Sequence, residues 1–273
     1  MNTQQKMAQA IAELVIDQRF YGTLIYGTKI EEAVQVGGFP IDTMATDGKR
    51  IYFNPAFVEG LTLGEVKGVL CHEVMHIANA HHLRRGNRDR RLWNVACDYA
   101  INPLVLKSKL HLPHDALINP AYEGMSAEEI YLREQQKEEA QKQAAQQQAP
   151  LYKPSNPTPG DSGEPSEPPP EPSPEASEEA AEGGQDDKPS KPTTTPTPAP
   201  QPSRKGGVGM ILDGVSDEGE PLTEAEMQEE MQQVQVVVIQ AARIAEMAGQ
   251  DSAGFERLVS EAKDPRDDWK ETL

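Results

Sequence analysis

The sequence predicts an α+β fold: a small antiparallel sheet packed on one long apolar helix, then a long disordered linker, then a helical C-terminal segment. Three observations carry that reading. Residues 23–53 hold β-branched residues in short runs around glycines, the pattern of strands and tight turns. Residues 62–85 place Val66, Val69, Leu70, Val74 and Ile77 on a broad apolar face, so this helix is expected to be buried. From about 143 to 207 the chain turns to Gln/Ala, then Pro/Glu/Ser, then Pro/Thr, which cannot bury enough apolar surface to fold. Whole-chain figures agree: 37% hydrophobic and 5% aromatic content over 273 residues, with 23 prolines and 21 glycines, suit a folded part joined to an unfolded one. The expected division is 1–142 for the folded domain, 143–207 for the linker and 208–273 for the C-terminal segment, which is free to pack back on the domain.

Taken in order, Lys6 to Arg19 reads as an amphipathic helix, with Ile11, Leu14 and Val15 at helical spacing. "TLIYGTKI" and "EAVQV" read as strands, and "TMATDGKRIYFN" as two strands around an Asp47-Gly48 hairpin turn. Thr62 and Glu65 have the spacing of a capping box and start the long helix. A second helix, "RLWNVACDYAIN", is expected to end or kink at Asn102, because Pro103 disfavours helical angles in the residue before it. "LHLPHDALINPAYEG" reads as loop, and Ser126 with Glu129 opens a further helix. Residues 223–248 form another, and the terminal "DDWKETL" resembles the start of one more, so the chain is expected to be a piece of something longer.

The formal net charge of -18 is unevenly spread. Residues 1–133 carry 15 acidic and 14 basic side chains, whereas 134–273 carry 29 and 12, so the acidity belongs to the linker and tail. A surface of that sign excludes nucleic acid and anionic membranes as general partners. Two cysteines, Cys71 and Cys97, do not make a disulfide framework, and they read as small core residues. The first twenty residues lack an uninterrupted apolar stretch of signal-peptide length, and no run is long enough to span a membrane. The expected location is the cytoplasm.

The chemistry is concentrated in "VLCHEVMHIANAHH", residues 69–82. On a helix, His72 and His76 lie four apart on one face, so both imidazoles can reach one ion. In His-Glu-x-x-His zinc peptidases the glutamate, here Glu73, is the general base that takes a proton from a metal-activated water. A helix with two half-exposed histidines is the plainer account. It does not explain why an apolar helix carries His, Glu and His where burial is expected, since buried polar groups need partners.

A catalytic zinc needs a third protein ligand, and three residues compete. His82 gives the spacing His-Glu-x-x-His-x-x-Asn-x-x-His, with Asn79 at the turn position where Gly is usual; Asn tolerates left-handed angles. His81 falls one residue short. Asp98 is favoured. Asn94, Asp98 and Asn102 form one polar stripe on a helix otherwise built of Leu92, Trp93, Val95, Ala96, Tyr99, Ala100 and Ile101. A carboxylate there needs a cation or several donors. The competing account is a salt bridge to one of Arg84, Arg85, Arg88, Arg90 or Arg91, which are otherwise expected to cap helix ends. Asn94 and Asn102 would orient ligands or substrate. His111 and His114 lie in a loop, with His114 a weaker candidate for stabilising a transition state.

The segments "TMATDGKRIYFNPAFV", "LCHEVMHIANAHHLRRGNRDRRLWNVACDYAIN", "LHLP" and "YEGMSAEEIY" together resemble the bacterial and phage metallopeptidase-domain proteins that carry a C-terminal von Willebrand factor A-like domain. The likeness is tight over about 40–133 and loose over 223–272. It implies a zincin-like domain, a Zn2+ cofactor, a polypeptide substrate and, as a partner, a MoxR-like AAA+ ATPase. By position, His72, Glu73, His76 and Asp98 match the family's motifs, and His81 falls on a histidine that often follows them. The A-like domain would begin after "DWKETL" and is not in this sequence. Two functions follow as expectations: a zinc-dependent peptidase, or a metal-stabilised scaffold that recruits a partner without catalysis. A self-processing enzyme acting on its own linker is a third.

Overall fold

The computed structural model describes residues 1–148, 207–216, 219–250 and 254–263. By its contacts the chain divides into one unit formed by Met1–Ala144 with Pro202–Leu273, and a second, Ala145–Gln201, nearly all of it outside the described residues. The expected disordered linker and the "DDWKETL" helix therefore fall where nothing is described, except that a helix reaches Gln148.

Helix α1 (Thr3–Asp17) starts in a capping box of Asn2 and Gln5 and buries Met7, Ala10 and Leu14. Helix α2 (Arg19–Tyr26) follows after a break at Gln18 and overturns the expected strand at "TLIYGTKI". Its β-branched residues are outvoted by spacing. Phe20, Tyr21, Leu24 and Ile25 lie at i, i+1, i+4 and i+5 and bury one helical face. Only Lys29 onward turns extended, as β1 (Lys29–Glu32). Strands β2 (Gln35–Val36) and β3 (Phe39–Pro40) form a two-stranded hairpin apart from the main sheet.

Strands β4 (Met44–Thr46) and β5 (Arg50–Phe53) pair antiparallel around the Asp47-Gly48 turn, as the sequence predicts. Asp47 closes the turn by accepting from the amides of Lys49 and Arg50, at 2.9 and 2.7 Å. Among the described residues the main sheet has the order β1-β5-β4-β6, where β6 is Gly209–Ile211. It is mixed, not antiparallel: both outer strands run parallel to their neighbours. The reason is connectivity. A tight hairpin joins β4 to β5, whereas each outer strand reaches its neighbour by a long excursion, which permits parallel pairing.

Short α3 (Pro55–Gly60) leads to α4 (Leu63–Ala78), which starts in the predicted capping box of Thr62 and Glu65. It packs against α1, α2 and the sheet, and its residues Val66, Val69, Leu70, Val74 and Met75 are inaccessible to solvent. Each such side chain is worth about 1.5–3 kcal/mol of burial, which holds the polar residues of the same helix inside. The next left-handed residue is Ala80 (φ 50°), not Asn79, which ends α4 at φ -88°. The turn leads into α5 (His81–Arg84).

Helix α6 (Arg90–Lys107) runs on through Pro103, so of the end or kink expected at Asn102 the end does not occur. The turn beyond the proline is anchored by buried Val105, and the side chain of Asn102 is itself tied into the interior. A 3-10 turn (Pro120–Tyr122) precedes α7 (Ala127–Gln148), opened by the Ser126–Glu129 pair. Helix α8 (Glu224–Met247) packs on α2 and α4 through Val238, Ala241, Ala242 and Ala245, while Val236 and Val237 face outward. The valine-rich stretch is thus core on one face only. At its end Gln250 donates to Asp17 O and accepts from the Arg19 amide, both at 2.7 Å, so it satisfies the start of α2. Helix α9 (Glu256–Lys263) follows Phe255, which stacks on Phe20 at 4.1 Å between ring centroids.

Candidate metal centre

Four polar side chains occupy the interior where α4 and α6 meet: His72, Glu73, His76 and Asp98, all fully buried. His72 and His76 stand one turn apart on α4, and their Nε2 atoms are 2.9 Å apart. Asp98 Oδ1 lies 3.5 Å from His72 Nε2 and 3.2 Å from His76 Nε2. Three ligand atoms around a tetrahedral zinc at 2.0–2.1 Å would be separated by about 3.3 Å, so this triangle has the size of a metal site.

The proton inventory agrees with that size. Asn102 donates through Nδ2 to Leu117 O at 2.9 Å, which leaves its Oδ1 as an acceptor facing His72 Nδ1 at 2.7 Å. His72 therefore carries its proton on Nδ1 and points a lone pair from Nε2 at the triangle. His76 Nδ1 meets His81 Nδ1 at 2.9 Å, a contact that also lets His76 direct a lone pair inward when His81 is the acceptor. Burial holds both imidazoles neutral, lowering His72 to about 4 and His76 to about 3. Burial raises Asp98 to about 7, with His72 and the Val208 backbone amide acting in the opposite sense. No hydrogen bond of full geometry reaches either oxygen of Asp98 or of Glu73, although the Val208 amide lies near enough to Asp98 to oppose the effect of burial. Burial first, then the Asp98 charge, push the Glu73 carboxyl well above its usual range. Converging lone pairs beside two unpartnered buried carboxyls are costly without a cation, so the residues present suit a divalent metal.

The competing accounts of Asp98 can be judged by where its rivals sit. Arg84 is bidentate to Glu128, Arg85 and Arg90 pair with Asp213, Arg91 pairs with Glu138, and Arg88 lies over the rings of Trp93 and Tyr131. His82 turns away: its Nε2 meets Glu230 of α8 at 2.9 Å, and it is not in the His72–His76–Asp98 group. His81 stands behind His76, held by Trp93, whose indole N–H donates to His81 O at 3.1 Å. Burial, then the His76 charge, keep His81 well below its usual pKa, so it is neutral. His111 and His114 are exposed. Cys71 and Cys97 are buried, free thiols.

One part of the site was missed by sequence reasoning. Residues 207–212 cross directly over it. A Cβ on Gly207, whose φ is +99°, would lie 1.8 Å from Asp98 Oδ2; one on Gly209 would lie 2.1 Å from Glu73 Oε1 and 3.0 Å from His72 Nε2. Asn94 brackets the same strand, donating to Gly209 O at 3.0 Å and accepting from the Ile211 amide at 2.9 Å. The available signal was "GGVGMIL", glycines alternating with apolar residues just after the linker.

The molecule is thus a mixed helix and sheet domain with a buried His-His-Asp cluster that could hold a metal ion. The family model described as "Putative metallopeptidase domain" matches residues 2–273, and the chain belongs to that family. An uncharacterized protein of Thermotoga maritima is 25% identical over 126 residues, which are 45% of this chain; the match spans about a third of that relative, 32% of its length. No solved structure matches. No helix among the described residues is long and apolar enough to cross a membrane.

Proposed function

We propose that the protein is a zinc-dependent peptidase in which His72, His76 and Asp98 hold the metal and Glu73 is the general base. The observation that supports it most is the pair of buried, unpartnered carboxyls beside two inward-facing imidazoles. A bound zinc would supply Lewis acidity, polarising a peptide carbonyl and making a neighbouring water acidic. Glu73 projects from the same helical turn as His72 with both oxygens free to accept a proton. Its raised pKa favours the protonated form, and a positive charge nearby would lower that pKa and free the carboxylate to act as a base, which couples the base to the metal. Asn102 and His81 hold the two imidazoles in the ligating orientation. Zinc well below one equivalent in the purified, unchelated protein would refute the reading.

The complete burial of the four residues favours a second reading, a closed metal-stabilised scaffold that recruits a partner such as a MoxR-like AAA+ ATPase. Glu73→Gln separates the two. A peptidase loses hydrolysis with its zinc in place, whereas a scaffold keeps its full biological activity.

A further inference from the structure

We propose that strand β6 sits in the peptide-binding cleft as a resident occupant, and that an extended polypeptide substrate takes its place on the edge of β4, with Asn94 holding the backbone of whichever chain is there. The inference rests on the peptidase reading of the metal centre.

Three features support it. First, β6 occupies the sheet edge next to the buried carboxyls. It pairs with β4 in the register Met44 to Gly209, Ala45 to Met210 and Thr46 to Ile211, and the Leu212 amide donates to Thr46 O at 2.8 Å. Addition of an extended chain to a sheet edge is a general mode of peptide capture, with backbone bonds giving affinity. Second, the Asn94 carboxamide makes a donor and an acceptor contact to main chain two residues apart, which recognises extended backbone of any sequence. Third, the residues facing Asp98 and Glu73 are both glycine, and the close approaches leave no room for a side chain at either. A strand that served only as a wall could carry larger residues with the carboxyls set further back. A bare backbone laid against the reacting groups resembles the main chain of a substrate.

The strand is also anchored unequally. Beyond its C-terminal end, Asp213 is gripped by Arg85 (2.6 Å) and Arg90 (2.5 Å). Its N-terminal end is held by the Asn94 contact to Gly209 O and by buried Val208, with no ion pair there among the described residues. Withdrawal therefore begins at Gly207 and uncovers Asp98 and Glu73 first.

Amide hydrogen exchange on the full chain tests this without reference to turnover. The Ile211 and Leu212 amides should exchange at least about tenfold faster than those of β4 and β5, through an opening short of global unfolding. Equal rates would overturn the proposal, because β6 would then leave only when the domain unfolds. A second measurement uses the paired positions Ala45 and Met210. In A45C/M210C, with the bridge verified by mass, the oxidised form should lose zinc to the chelator pyridylazoresorcinol about tenfold more slowly than the reduced form. Indistinguishable release also overturns it. If the protein binds no zinc, the peptidase reading fails while exchange still decides the fate of the strand.

Discussion

Replacing Asp98 by Asn should stabilise the metal-free protein. Asp98 is fully buried and no hydrogen bond of full geometry reaches its oxygens. Burial lifts its pKa from 3.8 to about 7. A group raised in the folded state stabilises fully below its unfolded pKa and loses that contribution as pH rises through the folded value. At pH 8 the wild type therefore carries a cost of about 4 kcal/mol, from about 1.4 kcal/mol per pKa unit. Asn has nearly the same shape and no charge, so the variant escapes that cost while keeping the smaller cost of an unpartnered polar group. Relaxation of the site reduces the gain, and about 2–4 kcal/mol is expected. His72 and His76, lowered to about 4 and 3, are neutral in both proteins at pH 8 and do not enter the difference. Urea unfolding with a strong chelator present measures it as a higher midpoint for D98N at unchanged slope. Zinc should reverse the order, raising the wild-type midpoint and leaving that of D98N nearly unmoved. A metal-free D98N less stable than the metal-free wild type would refute the reasoning, since Asp98 would then have a partner of its own.

Three further outcomes follow from the same geometry. Glu73→Gln should keep one equivalent of metal and lose peptide hydrolysis by about 10²–10⁴-fold, the usual contribution of a general base, as read by metal content and cleavage of an unfolded protein. His81→Ala should weaken zinc binding by about 10–100-fold because it removes the partner of His76 Nδ1, whereas His82→Ala should leave metal affinity unchanged; competition with a chelator of known affinity reads both. Metal binding should displace a proton from Asp98, so apparent affinity should rise by about tenfold per pH unit up to about pH 7 and then level off, with proton release visible in calorimetry across buffers.

Much of the candidate site is legible in the sequence because its signals are local. The spacing of His72 and His76, the Thr62–Glu65 cap and the apolar face of α4 all lie within seventeen consecutive residues. Asp98 was legible for a different reason: a carboxylate on an apolar helix calls for a partner, and burial makes that demand stronger. The position of Asn102 beside it was readable from the same stripe. The errors have physical causes as well. The strand expected at residues 23–26 does not form because Phe20, Tyr21, Leu24 and Ile25 bury one helical face, which outweighs the β propensity of the branched residues. The helix does not end at Asn102 because the one hydrogen bond lost at Pro103 is outweighed by tertiary packing of the following turn. Strand β6 was not legible as part of the centre. Its pairing joins residues about 165 positions apart, and no local pattern encodes which edge a short strand will choose.

The same long-range pairing makes the metal and the strand thermodynamic partners. β6 lays backbone against Glu73 and Asp98 and completes the burial of groups that, without a cation, prefer water. Closing the strand over an empty site therefore costs more than closing it over a filled one. A metal ion removes that difference, because attraction between the cation and its carboxylate strengthens as water is excluded. By linkage the effect is reciprocal: whatever factor the metal adds to strand closure, closure adds to metal affinity. Zinc should thus slow exchange of the Ile211 and Leu212 amides by more than it slows those of β5, and the same comparison in D98N should show little difference. Equal slowing throughout the sheet would mean that zinc stabilises the domain as a whole and that strand and metal are not specifically coupled.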